Sequence, residues 1–250
     1  MENKKIKPNI SVFFPVYKDE KTIEKVTLKA IRVLEKFAGN YEIIIIDDCS
    51  PDNSGKIADE LALKYINIKV IHHNENYGYG AALKSGFNAS QYKYICFTDG
   101  DDEYEISDID KFIKLIDFYD LIITFRYVRL YSTWRIFVSK IYNTLLRYLF
   151  KHKFRDISTG LRFVRKEVID DLNLISDSPF IGAELAIKAM LKGYRVGEVG
   201  IQTFPREFGK GSSTSIKNIF KTIKDIRKIY RQIFSKDYDL PANRTRTKEN

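Results

Sequence analysis

Five of the nine residues in the stretch FTDGDDEYE, 97–105, are acids. Crowded carboxylates repel and raise one another's proton affinity, so something must offset that cost. A divalent cation could do so, and so could plain solvation of a surface loop. Mg²⁺ or Mn²⁺ takes oxygen ligands, usually one or two carboxylates completed by phosphate oxygens and water. Asp99 and Asp101, spaced Asp-x-Asp where an apolar run becomes a loop, have the residue types and spacing for that chemistry. The spacing alone is common, so the elements that carry it must decide.

Those elements alternate through the first half. Apolar or β-branched runs at 10–16 (ISVFFPV), 41–47 (YEIIIID), 68–73 (IKVIHH), 92–99 (YKYICFTD) and 120–125 (DLIITF) predict strands. Helical spacing predicts helices over 21–37, 54–65, 80–90 and 107–118. Strands alternating with helices imply βαβ units and a mostly parallel sheet covered on both faces. The fold class expected is therefore α/β. In such sheets ligands bind outside the carboxyl ends of the strands. Pro15 and Tyr17 end the first strand, Asp47 and Asp48 the second, and Asp99, Asp101 and Asp102 the fourth. Three strand ends thus converge on one crevice, and acids so placed are harder to explain as a solvated face.

The second half changes character. Residues 121–155 hold eight Lys or Arg and no acid, with aromatics and leucines interleaved. This predicts a basic amphipathic helix over 132–150. A helix over 181–193 should close at Gly193, and RVGEVGIQTF should form a hairpin or strand pair. Residues 216–234 predict a second basic amphipathic helix, its apolar stripe ringed by six bases and one acid. Either helix could instead pack its stripe into the core and merely solvate its bases. The final PANRTRTKEN reads as disordered.

Composition sets the outer bounds. The 250 residues suit one domain, and 42 Lys and Arg against 33 Asp and Glu give a net charge of +9. That balance points to an anionic partner: nucleic acid, phosphorylated small molecules or an anionic membrane surface. Cys49 and Cys96 read as two buried thiols without a disulfide framework. The N-terminus lacks a signal-peptide core and no stretch is apolar enough to span a bilayer. The expected location is cytoplasmic, with peripheral attachment to the cytoplasmic face of a membrane as an option.

The acidic cluster makes sense if the ligand is a nucleoside diphosphate carrying a sugar. Eight segments, including SVFFPVYKDEKTI, EIIIIDDCSPDNSG, NENYGYGAALKSGF, YICFTDGDDEYEISDI, RDISTGLRFVRKEV and PREFGKGSS, occur in an order that resembles glycosyltransferase family 2. Within it they are similar to the polyprenyl-phosphate (dolichyl-phosphate) sugar synthases. The matches cover roughly residues 10–213. The resemblance implies a GT-A (Rossmann-like) domain over 10–213, after an N-terminal tail at 1–9. A basic amphipathic helix at 214–235 and a disordered tail at 236–250 would follow it. It implies Mg²⁺ or Mn²⁺ and an inverting transfer from a UDP- or GDP-hexose. Pro15, Tyr17 and Glu20 would line the nucleoside pocket. Asp48 would accept hydrogen bonds from the base, with Asp47 supporting it. Asn76, Gly78 and Gly80 would let the chain approach the nucleotide closely. Asp99, Gly100 and Asp101 would hold the donor, and Asp99, Asp101 and Glu103 the metal. Glu103 stands where the subgroup usually has Gln. Arg126 and Arg135 would stand near the phosphates and Arg206 in a mobile C-terminal loop, all three catalytic with Asp101, with Lys210 a weaker candidate.

An acceptor hydroxyl needs a general base, and the second half shows no clear carboxylate for it. Glu184 is the nearest candidate, and a structural role for it is the competing reading. A lipid phosphate needs no base, only cations with apolar neighbours, which 121–155 supply. The leading expectation is hexose transfer to a polyprenyl phosphate, with a separate membrane-anchoring protein as a possible partner. The alternatives are transfer to a glycan or lipid-linked saccharide hydroxyl, and a non-catalytic basic module. Against nucleic acid as that module's partner stands the acidic crevice, which would repel it.

Overall fold

A computed structural model describes residues 7–127, 133–204 and 215–235. Seven strands form one sheet: β1 (Ile10–Val16), β2 (Tyr41–Asp47), β3 (Ile68–His72), β4 (Tyr94–Phe97), β5 (Leu121–Arg126), β6 (Arg162–Arg165) and β7 (Val196–Ile201). Their order across the sheet is β3-β2-β1-β4-β6-β5-β7. The pairs β1–β2, β2–β3, β1–β4 and β5–β7 are parallel. Only β6 runs antiparallel, to both β4 and β5.

Side chains of successive strand residues point to opposite faces, and both faces are buried here. Val12, Phe14, Ile43 and Ile45 face one hydrophobic layer, while Phe13, Ile44 and Ile46 face the other. The first layer is covered by α1 (Ile23–Phe37), α2 (Ser54–Lys64) and α4 (Ile109–Ile113). The second is covered by α3 (Tyr79–Ala89), α5 (Thr133–Phe150), α7 (Ile181–Leu191) and α8 (Ile216–Ile233). The short α6 (Lys166–Asp171) follows β6. Ile226, Ile229 and Ile233 anchor α8 in the same core as the sheet. The N-terminus of α8 is capped by Ser215, whose hydroxyl oxygen accepts from the Asn218 N–H.

The α7 terminus follows the sequence expectation. Gly193 adopts φ +80°. Its N–H meets the Met190 carbonyl and the Tyr194 N–H meets that of Ala189, so the last turn is closed. Other elements differ from expectation. The helix expected at 107–118 shrinks to a 3₁₀ turn, Ile106–Asp108, and α4, after which the chain winds on in turns. The expected hairpin in RVGEVGIQTF is the single edge strand β7, followed by an isolated bridge between Thr203 and Tyr104. Its glycines make room rather than a turn: a Cβ at Gly197 would lie 2.7 Å from the Tyr119 ring. Cys96 is buried but Cys49 is exposed, in a left-handed conformation with φ 57°. The tail at 236–250 lies outside the described residues. Among those residues no helix is long and apolar enough to cross a membrane.

Candidate functional site

A cavity of about 770 Å³ opens at the carboxyl ends of β1, β2 and β4. Pro15, Tyr17, Asp48, Asn76 and Gly78 line one part of it, and Asp99, Gly100, Asp101 and Glu103 another. The remaining wall comes from Arg126, Arg162 and the facing sides of α5 and α8. The sheet therefore brings together most of the residues singled out from sequence.

The acids of 99–105 divide into two groups. Asp101 and Glu103 are buried against the cavity, and the Glu103 N–H donates to the Asp101 carboxylate at 3.0 Å. Asp99 accepts from the Tyr79 hydroxyl at 2.8 Å. Burial, and next the Asp99 charge, push the Tyr79 phenol well above its ordinary pKa, so it keeps its proton and donates. Asp102 and Glu105 turn the other way, toward α1. Asp102 pairs with Lys25 at 2.6 Å and Lys29 at 3.0 Å, and Glu105 with Lys29 at 3.4 Å. Asp102 adopts φ 58°, which lets neighbouring carboxylates face opposite directions. Plain solvation of a surface loop, one of the two readings of this stretch, therefore does not describe Asp102 and Glu105, which pair with lysines. Lysines of α1 pair with two of the five acids, and the other three face the cavity.

The donor set suits a hard divalent ion. Asp99, Asp101 and Glu103 supply carboxylate oxygens on one wall. Among the described residues no group of three or more His, Cys, Asp or Glu is placed to hold a metal ion, so Asp99, Asp101 and Glu103 are not assembled as the three-ligand set expected from sequence. A hard cation bound mainly by phosphate oxygens and water needs only one or two carboxylates. Gly160 is part of this fit: a Cβ there would lie 2.7 Å from an Asp99 oxygen.

Other expected residues fall into supporting positions. Glu20 is not on the cavity wall; its carboxylate accepts from the Asn53 N–H and side chain, both at 3.1 Å. Asp47 also lies behind the wall, accepting from the Ser50 N–H and meeting His72 Nδ1, each at 3.0 Å. Hydrogen bonds to Asp59 and then Asp47 raise the His72 pKa. Gly80 is buried against the backbone of Asp177, a Cβ there lying 2.5 Å from the Asp177 carbonyl carbon. It therefore admits a protein segment to α3 rather than a ligand. Arg135 belongs to α5, but its side chain lies outside the described residues, as do Arg206 and Lys210 altogether.

Arg126 is on the wall. Its Nε donates to Asp156 at 2.8 Å, and its Nη2 reaches Asp156 at 2.7 Å and Ser158 at 2.8 Å. Asn143 of α5 donates to the same carboxylate at 3.3 Å and accepts from the Ile157 N–H at 2.9 Å. Asp156 thus orients the arginine. Arg162, which sequence reading did not single out, is a second cation in the wall. It is fully buried and donates to the carbonyls of Thr159, Ile157 and Gly182. Its signal in sequence was weak: one arginine in RFVR, a strand too short to show periodicity. Lys221 and Asn218 of α8 also line the cavity, and only the fold brings them there.

Glu184 is not on the wall. It is 0% exposed, accepts from the Ile175 and Ser176 N–H groups at 2.9 Å each, and pairs with Lys188 at 2.6 Å. Among the described residues, no carboxylate beyond β5 lines the cavity.

Comparison with known proteins agrees with this geometry. The chain is 32% identical over 190 residues to a polyprenol monophosphomannose synthase from Mycolicibacterium smegmatis, covering 70% of this chain and 72% of that one. It is 28% identical over 213 residues to an undecaprenyl-phosphate 4-deoxy-4-formamido-L-arabinose transferase from Proteus mirabilis, covering 84% of this chain and 64% of that one. A crystal structure of glucosyl-3-phosphoglycerate synthase from Mycobacterium tuberculosis, in complex with Mn²⁺, UDP and glucosyl-3-phosphoglycerate, shares the fold. Its TM-score is 0.66 at 16% identity, over 90% of this chain and 77% of that one. The model of glycosyl transferase family 2 matches residues 11–172, well over half of the sequence, and the chain belongs to that family.

Proposed function

We propose that this glycosyltransferase moves a hexose from a nucleotide sugar to a polyprenyl phosphate at a membrane surface. One observation carries the reading: a single cavity has carboxylates on one wall, buried arginines on another, and apolar helix faces on a third. Ile141 and Leu145 of α5 and Ile219 and Ile223 of α8 line it and are also exposed to solvent. A greasy tail could leave by that route while its phosphate stays inside. The named relatives act on undecaprenyl phosphate and a polyprenol, which supports the same acceptor class.

The chemistry follows from the charges. An acceptor phosphate oxygen attacks the anomeric carbon from the face opposite the diphosphate. The new carbon–oxygen bond forms as the old one breaks, and the diphosphate leaves with the electron pair. No proton moves, which suits a cavity whose described residues include no second-half carboxylate. Arg126, fixed by Asp156 and Ser158, and Arg162 would bind and orient phosphate oxygens. Asp99 and Asp101, with Glu103 beside them, would hold a divalent ion. When bound, that ion supplies Lewis-acid stabilisation of the departing diphosphate.

The test is nucleoside diphosphate release from a panel of UDP- and GDP-sugars with Mg²⁺ or Mn²⁺, with and without a short polyprenyl phosphate. Release that depends on both metal and lipid is expected. Release driven instead by saccharide acceptors would move the acceptor to a hydroxyl.

The surface around the cavity mouth leads to a separate prediction. Phe137, Ile141, Leu145 and Tyr148 form an exposed stripe on α5, and Phe220, Tyr230 and Phe234 are exposed on or just beyond α8. Lys140, Arg147, Lys221, Lys224, Arg227 and Lys228 lie on the same two helices. Apolar residues beside bases suit an anionic bilayer, each base near the surface contributing about 1 kcal/mol. Sedimentation with anionic liposomes should show binding that weakens as salt rises. No binding at low salt would remove the docking role.

A further inference from the structure

Asp99 and Asp101 take their orientation from different parts of the chain. Asp101 is held within its own loop, by the Glu103 N–H at 3.0 Å. Asp99 is held from α3, where the Tyr79 hydroxyl meets its Oδ1 at 2.8 Å. An ionised carboxylate only accepts, so the phenol is the donor.

The local sequence explains how the phenol gets there. Gly78 turns the chain into α3 at φ 96°, a backbone conformation that favours glycine. Tyr79 is the first residue of that helix and lines the cavity. Its hydroxyl thus ties the start of α3 to the loop that follows β4, 20 residues along the chain. On its other side the Asp99 carboxylate meets Gly160, where a Cβ would lie 2.7 Å from Oδ2 and 3.0 Å from the Tyr104 ring. The Gly160 N–H is itself committed, donating to the Tyr104 hydroxyl at 2.9 Å. The carboxylate therefore stands between a hydrogen-bond donor and a backbone that has room only for glycine.

We propose that Tyr79 is a positioning residue for metal binding: its hydroxyl fixes the Asp99 carboxylate in advance and so sets the affinity for a divalent ion. The inference rests on reading Asp99 and Asp101 as the ligands of that ion. The terminal torsion of an aspartate is broad, so an unheld carboxylate must be ordered when the ion arrives. A carboxylate has about four lone-pair sites, and one phenol leaves capacity for a cation. Partners that orient metal ligands from behind typically account for about 10–100-fold in metal affinity or activity. The competing reading is that the bond merely satisfies a phenol on the cavity wall, and it makes a different prediction.

The experiment is a Mn²⁺ titration followed by electron paramagnetic resonance, on the full chain with excess UDP and, separately, excess GDP, and no acceptor. Tyr79→Phe deletes the hydroxyl and keeps the ring. Its Mn²⁺ affinity should fall about tenfold or more, and saturating Mn²⁺ should restore turnover, because Asp99 and Asp101 are still present. Tyr194→Phe is the matched control. Its hydroxyl also donates to a carboxylate, that of Asp171, at 2.8 Å, and neither residue lines the cavity. That variant should keep the wild-type Mn²⁺ affinity. Equal Mn²⁺ affinity in folded Tyr79→Phe and the wild type overturns the positioning role and leaves the transferase reading standing. Turnover that stays low at saturating Mn²⁺ overturns it too, since the hydroxyl would then act on the substrate. No Mn²⁺ binding by the wild type with either nucleotide overturns the metal reading and this inference with it. If Tyr79→Phe loses the wild-type circular dichroism while Tyr194→Phe keeps it, the hydroxyl serves the fold and the inference fails.

Discussion

Asp101→Asn should lower kcat by roughly 10²–10³-fold while leaving the fold intact, and Asp102→Asn, one residue along, should change kcat by no more than about twofold. The contrast comes from where the two side chains face. Asp101 is 5% exposed and sits on the cavity wall with Asp99 and Glu103. Removing its charge removes a ligand for the ion expected to stabilise the leaving diphosphate. A loss of about 3–4 kcal/mol from such a Lewis-acid contribution corresponds to that fall in rate. The amide oxygen of Asn can still accept from the Glu103 N–H, the bond seen at 3.0 Å, so the loop keeps its turn. Asp102 instead faces Lys25 and Lys29 of α1. Partly exposed pairs of this kind contribute about 1 kcal/mol or less to stability. Steady-state kinetics with Mn²⁺ titrated at fixed donor checks both variants. Mn²⁺ affinity measured with the nucleoside diphosphate and no acceptor gives a readout apart from turnover, and only Asp101→Asn should weaken it. Equal turnover and equal Mn²⁺ affinity in the two variants would place the ion elsewhere.

The parts of this molecule that sequence made legible are those governed by short-range rules. Unbroken apolar runs such as YEIIIID are what a strand buried on both faces requires, and β2 is that strand, Tyr41–Asp47. Acids at strand ends pointed to the crevice because a parallel sheet puts every such end on one edge. Less legible were features set by distant partners. β6 is four residues, Arg162–Arg165, too short to show a period, and it exists because β4 and β5 flank it. RVGEVGIQTF read as a hairpin or strand pair, but it is one strand whose glycines accommodate the Tyr119 and Tyr127 rings. Arg162 gave no local sign of reaching the cavity. Asp102 was grouped with the crevice acids because the lysines that pair with it lie more than 70 residues earlier. Most consequentially, Asp48 was chosen by its position after the strand. Its three donors, from His73, Tyr77 and Gly78, appear only once the loop is folded around it.

Glu184→Ala should destabilise the protein by about 3–5 kcal/mol, a large share of the 5–15 kcal/mol typical of a domain. The pair is enclosed: Glu184 is 0% and Lys188 1% exposed. Burial pushes the Lys188 pKa down, and the Glu184 charge beside it works in the opposite direction. Alanine would leave an ammonium group in the core with only the Asn173 carbonyl as a remaining partner, and would orphan the N–H groups of Ile175 and Ser176. Removing both charges together, as Glu184→Gln with Lys188→Met, should recover most of the loss, because the penalty lies in the unpaired ion rather than in the absence of the pair. Urea unfolding of the wild type, Glu184→Gln, Lys188→Met and the double variant measures the coupling. The same double variant separates the two acceptor chemistries. A general base contributes about 10²–10⁴-fold, so a folded protein lacking a catalytic Glu184 would lose at least that much turnover. A phosphate acceptor needs no base, and Glu184 holds the 175–176 segment from behind the wall, so kcat should stay within about threefold of wild type. A folded double variant with turnover reduced a hundredfold would return Glu184 to the chemistry and the acceptor to a hydroxyl.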